Sequence, residues 1–85
     1  RTEDLPQHFD QQLFDRLKTI RKEIADRAGV PPFVIFHDRT LVELAAEMPL
    51  TYKEMLLVHG VGEAKCEKYG AAFIEEINSY MAETD

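Results

Sequence analysis

The amino-acid sequence predicts an all-α protein, a compact bundle of about five short helices with a helix-hairpin-helix-like G-V-G turn. Apolar residues recur at steps of three or four along most of the chain, which is the period of an amphipathic helix. Glycines and prolines stand where these patterns end. No segment shows the strict apolar–polar alternation of a half-buried strand. Eighty-five residues, 45% of them hydrophobic, are enough for one small domain with one core.

The longest helix is predicted from about residue 10 to residue 28. Its apolar residues form one stripe: Phe9, Leu13, Leu17, Ile20, Ile24 and Ala28. Gly29 is a C-terminal stop signal, and Pro31 prevents the helix from continuing. Residues 1–8 contain Pro6 and no periodicity, so we interpret them as a linker or disordered N-terminal end and expect the folded domain at residues 9–82.

Residues 30–40 read V-P-P-F-V-I-F-H-D-R-T and join two helical halves. The adjacent Pro31 and Pro32 favour a rigid, non-helical connector. Four large apolar residues follow at 33–36, and neighbouring side chains in a short connector point in different directions. We therefore expect an aromatic ring to stay exposed beside the basic first helix. Asp38 has the character of an N-cap, because its carboxylate can accept from the free N–H groups of the next helix.

Further helix patterns follow the connector. The helix that Asp38 opens ends at Pro49, and T-Y-K-E at residues 51–54 is a capping-box pattern for a short helix. After the G-V-G turn, a fourth helix is predicted from about Glu63 to Tyr69, with a stop at Gly70. A fifth follows, and residues 83–85 are expected to form a frayed C-terminal end. The expected core is Leu17, Ile20, Ile24, Phe36, Leu41, Leu44, Leu56, Val61, Phe73 and Ile77.

Charge is distributed unevenly along the chain. The formal net charge is −6, the wrong sign for a strong non-specific nucleic-acid binder. Residues 15–27 nevertheless hold five basic and three acidic side chains, a balance of +2, whereas residues 41–76 hold three basic and seven acidic ones, a balance of −4. Lys18, Arg21 and Lys22 fall on one side of the first helix. An ordinary solvated face, partly neutralised by Glu23 and Asp26, is the alternative interpretation.

The segment M-L-L-V-H-G-V-G-E-A-K resembles the helix-hairpin-helix element of DNA-binding proteins. Gly60 and Gly62 permit a tight turn, and backbone N–H groups at the start of the following helix could hold a phosphate near Lys65. The competing interpretation is a structural corner in which Val61 plugs the core. Glu63 would repel a phosphate at this place.

No residue pattern predicts catalysis, a metal site or a cofactor. His8, His37, His59 and Cys66 show no metal-ligand spacing, and neither a phosphate loop nor a nucleophile elbow is present. The single cysteine excludes an internal disulfide and fits a reducing compartment. No apolar run approaches the length that a membrane span requires. We therefore expect a non-catalytic module without membrane contact.

Several motifs stand in an order that is similar to a known family. Together they resemble the HRDC domain, named for helicase and RNase D C-termini. The motifs are L-F-D-R-L-K-T-I-R-K-E-I-A, V-P-P-F-V-I-F-H-D-R-T-L, M-P-L-T and H-G-V-G-E-A-K-C-E-K-Y-G. The resemblance covers about residues 14–81 and is greatest to the HRDC domains of bacterial RecQ DNA helicases. It implies an accessory domain that is a monomer in isolation. The parent protein would be a cytoplasmic ATP-dependent helicase that acts in DNA repair and recombination.

The resemblance also implies a binding site. In RecQ-type helicases such domains bind single-stranded or partially unwound DNA weakly and tune which DNA structure the helicase engages. The family site centres on an aromatic of the P-P-[FY] connector, which matches Phe33 here and keeps a stacking face without the hydroxyl of tyrosine. The basic residues expected around Phe33 are Arg16, Lys18, Arg21, Lys22 and Arg39.

Two alternatives remain open from the sequence. The acidic second half, with Glu43 and Glu47, could make the chain a protein-interaction or autoregulatory domain that docks on the helicase core of the same polypeptide, with little or no DNA binding. An RNase D-like exonuclease acting on RNA is the other possible parent. If Phe33 were core like Phe36, the aromatic platform would be absent.

Overall fold

The computed structural model describes residues 8–84, and within them it forms five helices and no strand. The helices are α1 (Gln11–Ala28), α2 (Pro32–Ile35), α3 (Asp38–Glu47), α4 (Tyr52–Leu56) and α5 (Glu63–Thr84). Helix α1 contacts α2, α3 and α5, and α4 packs on α5. The all-α prediction is confirmed. Apart from the exposed His8, the expected N-terminal linker lies outside the described residues.

Helix α1 has the ends that the sequence predicts. The Asp10 carboxylate caps the helix by accepting from the Leu13 N–H at 3.0 Å. At the other end Gly29 adopts a left-handed conformation with φ 70°, and its N–H reaches the carbonyls of Ala25 and Asp26. These contacts fix the length of α1 on both sides.

Helix α2 was not expected, because the two prolines were interpreted as a barrier to helix formation. Pro31 is extended, with φ −64° and ψ 149°, as a residue before proline should be. Pro32 is the first helical residue, a position where its fixed φ suits the helix and its missing N–H costs nothing. The Val34 N–H then bonds to the Pro31 carbonyl at 3.0 Å. The connector therefore contains one helical turn before Phe36 returns to the extended conformation.

Helix α3 starts differently from the prediction. Asp38 is its first residue rather than its N-cap, and the capping position is taken by His37, whose side chain makes no capping bond. The Asp38 carboxylate pairs instead with Arg21 of α1 at 2.7 Å. The tertiary partner therefore replaces the local cap.

The segment from α4 to α5 holds the capping box and the glycine turn. The Glu54 N–H donates to Thr51 Oγ1 at 3.1 Å, and the Leu50 N–H donates to the Glu54 carboxylate at 2.9 Å. Gly60 and Gly62 have φ values of 90° and 69°, so both use the left-handed region that glycine tolerates. Between them Val61 is buried, which confirms its interpretation as a plug of the core.

Helix α5 is one continuous helix of 22 residues, so the predicted stop at Gly70 is wrong and α5, rather than α1, is the longest helix. A Cβ at Gly70 would lie 3.1 Å from Cys66 Sγ and 3.4 Å from Met55 Sδ. Gly70 therefore permits the close approach of α4 instead of ending the helix. Glu83, expected in a frayed end, lies within α5 and pairs with Arg16.

The core lies between α1, α3 and α5. Seven of the ten expected core residues are fully buried, while Ile20, Ile24 and Leu56 are half-buried and pack against the core. Phe36 packs edge-to-face on Phe73, with ring centroids 5.1 Å apart. Further buried apolar side chains, beyond those ten, are Leu13, Ala25, Ile35, Ala45, Met55, Val58, Cys66 and Tyr80. Across residues 8–84, none of the helices has the length and apolar character to cross a bilayer.

Candidate nucleic-acid interface

Phe33 lies on the surface of the connector. Its side chain is 56% exposed, whereas Phe36, three residues further on, is buried. The Phe33 ring stacks on the ring of His37, with centroids 6.0 Å apart and planes inclined by 20°. These values are those of an offset stack. The interpretation of Phe33 as core is therefore wrong.

The connector is held from both ends. Pro31 and Pro32 restrict the backbone before Phe33. After it, Arg21 Nη1 donates to the Phe36 carbonyl at 2.9 Å and pairs with the Asp38 carboxylate at 2.7 Å. The exposed ring thus stands on a backbone that is already ordered.

Arg21 itself is only 8% exposed. Arg21 is predicted on the same side of α1 as Lys18 and Lys22, but it is not exposed with them, because its guanidinium is turned under the connector towards Phe36 and Asp38. Arg21 therefore supports the site from below and does not present its charge to a ligand.

Lys18 and Lys22 are the exposed basic residues of the predicted set. They lie one turn apart on α1. The Lys18 ammonium lies 5.4 Å from the centroid of the Phe14 ring, and the Lys22 ammonium lies 3.3 Å from Asp26. An exposed ion pair and an exposed cation–π contact each contribute at most about 1 kcal/mol, so both lysines can exchange these partners for a phosphate.

The two remaining arginines have acidic partners. Arg16 pairs with Glu76 and Glu83 of α5, and these hydrogen bonds raise the pKa of its guanidinium. Arg39 is half-buried, with Nε 3.7 Å from the Glu43 carboxylate. The structure therefore does not bring all five basic residues together around Phe33.

The glycine turn has the backbone conformation expected of it, but its side chains differ in exposure. Lys65 is half-buried, and Glu63 stands in the first turn of α5, where a phosphate would have to bind. Gly60 packs directly against the Thr40 side chain. A phosphate site at this turn stays a prediction.

A second surface lies between α3 and α4. We call it the acidic cleft and define it by Glu43, Glu47, Glu54, Leu57 and His59, which line a cavity of about 480 Å³. Leu57 is 85% exposed at its edge. The Glu43 side chain is only 15% exposed, whereas Glu47 faces solvent. Of the two predicted docking residues, Glu47 is thus the accessible one.

Two surface residues were missed by the sequence reasoning. His37 enters the sequence analysis only as a candidate metal ligand, and no regular spacing indicates its contact with Phe33, because the backbone between them is extended at Phe36. Leu57 directly follows the apolar Met55 and Leu56, so the sequence does not distinguish it from residues that face the core. The short length of α4, which ends at Leu56, leaves Leu57 outside.

Nothing in the described part of the chain gathers three metal-ligating side chains around one point. Cys66 is buried in α5, and desolvation raises the pKa of its thiol. A buried thiol with a raised pKa is a poor nucleophile.

The fold is that of a small helical module, and the comparisons give its family. The family model of the HRDC domain matches residues 10–77. The chain therefore belongs to the HRDC family. The HRDC domain is a small accessory domain of RecQ ATP-dependent DNA helicases and is itself non-catalytic.

Related proteins and a solved structure support the same family assignment. The ATP-dependent DNA helicase RecQ of Bacillus subtilis is 49% identical over 76 residues, which cover 89% of this chain and 13% of the helicase. The RecQ helicase of Haemophilus influenzae is 43% identical over 75 residues, 88% of this chain and 12% of the helicase. The chain thus spans only a small part of these relatives. The D. radiodurans RecQ HRDC domain 3 superposes with a TM-score of 0.79 at 36% identity, covering 81% of this chain and 91% of that one.

Proposed function

We propose that the chain is the accessory nucleic-acid-binding domain of a RecQ-like helicase, working in the cytoplasm in DNA repair or recombination. It binds single-stranded or partially unwound DNA weakly and helps to select the DNA structure on which the helicase acts. The observation that carries the proposal is the exposed, ordered ring of Phe33.

The chemistry of the ring favours unpaired bases. A base in a duplex is stacked on both faces, whereas an unpaired base offers a face to an aromatic side chain. Phe33 stands on a restricted connector, so less freedom is lost when a base stacks on it. Lys18 and Lys22 would make two phosphate contacts. On a single strand, the logarithm of the binding constant would then fall with the logarithm of the salt concentration with a slope of roughly −1.4. The net charge of −6 keeps the affinity low.

The substitution Phe33→Ala tests this proposal. Base–aromatic stacking is worth about 1–3 kcal/mol, so we expect Phe33→Ala to weaken binding of a labelled oligothymidylate by at least about fivefold at low salt. Phe33→Tyr keeps the ring and should bind like the parent. Because Phe33 is exposed, both variants should melt near the parent temperature. Fluorescence anisotropy and thermal denaturation monitored by circular dichroism give the two readouts.

The matched control is Leu57→Ala, which removes an exposed apolar side chain at the acidic cleft. It should leave the affinity for the oligonucleotide unchanged. If the parent does not bind the single strand at low salt, or if Phe33→Ala binds as tightly as the parent, the proposed DNA site is wrong.

The acidic cleft favours a second function, docking on a basic surface of the same polypeptide. Glu47 is exposed, and Leu57 offers an apolar contact at the edge of the cleft. Protein interfaces commonly combine apolar contacts with charged ones. In this alternative the domain regulates the helicase core through protein contact.

Charge reversal tests the docking alternative in the full-length parent. Glu47→Lys should change the affinity for DNA and the ATPase rate of the parent, because opposite charges steer association. Glu75→Lys makes the same change of charge at an exposed position of α5, away from both the cleft and the lysines of α1, and should have little effect. The effect of Glu47→Lys should fade at high salt. Equal behaviour of the two reversals would exclude docking through this cleft.

A further inference from the structure

We propose that His37 is a second nucleic-acid contact, and that Phe33 and His37 together form one two-ring platform for unpaired bases. This inference rests on the proposed function and adds one residue to its site. The imidazole of His37 is an aromatic ring that, unlike phenyl, carries polar nitrogen atoms. The platform is formed by the stacked pair on the surface of the connector.

The geometry of the pair supports a shared surface. Both side chains are exposed, and their ring planes differ by only 20°. At a centroid distance of 6.0 Å the rings are offset rather than superposed. Two nearly parallel, offset rings present more stacking area than one ring, and stacking is the sequence-tolerant part of single-strand binding.

The backbone of His37 is held in place on both sides. Arg21 Nη1 contacts the Phe36 carbonyl, one residue before His37, and the Asp38 carboxylate, one residue after it. The His37 carbonyl accepts from the Leu41 N–H at 3.2 Å. A side chain on so constrained a backbone is preorganised for a ligand. Arg21 is thus a positioning residue for the platform.

The imidazole adds hydrogen-bonding capacity that Phe33 lacks. Within residues 8–84 the His37 ring makes no hydrogen bond, so its ring N–H is available to a phosphate or a base edge. The charged groups beside it, Arg21 and Asp38, pair with each other at 2.7 Å. That pairing offsets the repulsion that the Asp38 carboxylate would exert on a phosphate.

The test compares His37→Ala with His37→Phe in the 85-residue chain. The affinity for a fluorescein-labelled oligothymidylate is measured by anisotropy at low salt. His37→Ala should bind at least about fivefold more weakly, which corresponds to the lower end of base–aromatic stacking. His37→Phe keeps a ring but loses the ring N–H, so it should bind more tightly than His37→Ala and no more tightly than the parent. His59→Ala removes an exposed histidine from the acidic cleft and should bind like the parent.

A second readout is independent of the variants. Imidazole NMR resonances of the parent are followed during titration with unlabelled oligothymidylate, and those of His37 should shift while those of His59 stay in place. Phe33→Ala separates this inference from the proposed function. If Phe33→Ala loses binding but His37→Ala does not, and the His37 resonances do not move, the two-ring platform is wrong and the Phe33 site stands. If the parent itself does not bind, the proposed function fails first.

Discussion

Gly60 and Gly62 stand two residues apart in the same turn and adopt the same left-handed backbone, yet their surroundings differ. A Cβ at Gly60 would overlap Oγ1 of the buried Thr40, whereas a Cβ at Gly62 would meet nothing within 4 Å. Gly60 is therefore required twice, for its φ and for the close approach of the turn to α3. Gly62 is required for its φ alone.

Alanine at each glycine separates the two requirements. Both variants should lose about 1–2 kcal/mol of unfolding free energy from the left-handed backbone. Gly60→Ala should lose about 1–3 kcal/mol more, because the added methyl group overpacks the contact with Thr40. Urea denaturation of the two variants measures the difference. Equal losses would contradict the close packing of Gly60 on Thr40.

The burial of Arg21 was predictable in part. Leu13, Leu17, Arg21 and Ala25 follow one another at steps of four, so Arg21 occupies the row of α1 that is otherwise buried. The spacing in the sequence therefore indicates that Arg21 is buried. Grouping Arg21 with Lys18 and Lys22 by charge leads to the opposite expectation. Its partners, the Phe36 carbonyl and Asp38, come from a different element. No spacing within α1 could identify them.

At the level of helices, a glycine marks the end of a helix correctly only where no other element packs against that glycine. Gly29 ends α1 as predicted, through local hydrogen bonds. Gly70 does not end α5, because its missing side chain serves contact with α4 rather than a turn. Pro32 starts a helix because the first helical position needs no N–H. Local chemistry thus predicts an end correctly only when the end is itself locally stabilised.

The connector shows why the candidate site was only half predictable. The sequence predicts that one aromatic among residues 33–36 stays outside, but helical spacing would place Phe33 and Phe36 on one face. The backbone leaves the helical conformation at Phe36, with φ −150° and ψ 145°. This single change directs Phe36 into the core and leaves Phe33 beside His37.

Across the whole molecule, polar contacts join the first helix to the last. The Tyr80 hydroxyl of α5 donates to both carboxylate oxygens of Asp10, at 2.7 and 2.8 Å, while the same carboxylate caps α1. Arg16 of α1 pairs with Glu76 and Glu83 of α5. The termini of the described chain are thereby tied to each other, which explains why α5 remains helical through Glu83.

These contacts make stability depend on pH. The bond from the Leu13 N–H, followed by that from the Tyr80 hydroxyl, lowers the pKa of Asp10 below its ordinary value of 3.8. A carboxylate whose pKa is lowered by folding contributes its stability fully above its unfolded pKa, and loses it as the pH falls through the folded pKa. Acid should therefore weaken the contact between α1 and α5 below about pH 4.

Asp10→Asn isolates the contribution of the charge, because asparagine also caps helices but does not titrate. At about pH 7 the variant should be less stable than the parent by roughly 1 kcal/mol, the difference between charged and neutral hydrogen bonds. In acid well below the ordinary pKa of 3.8 the two proteins should converge, since the parent carboxyl is protonated as the pH falls through its lowered pKa. Urea denaturation at both pH values measures this, with Glu23→Gln as an exposed control on α1. A deficit that persists unchanged in acid would show that Asp10 acts through its shape and not through its charge.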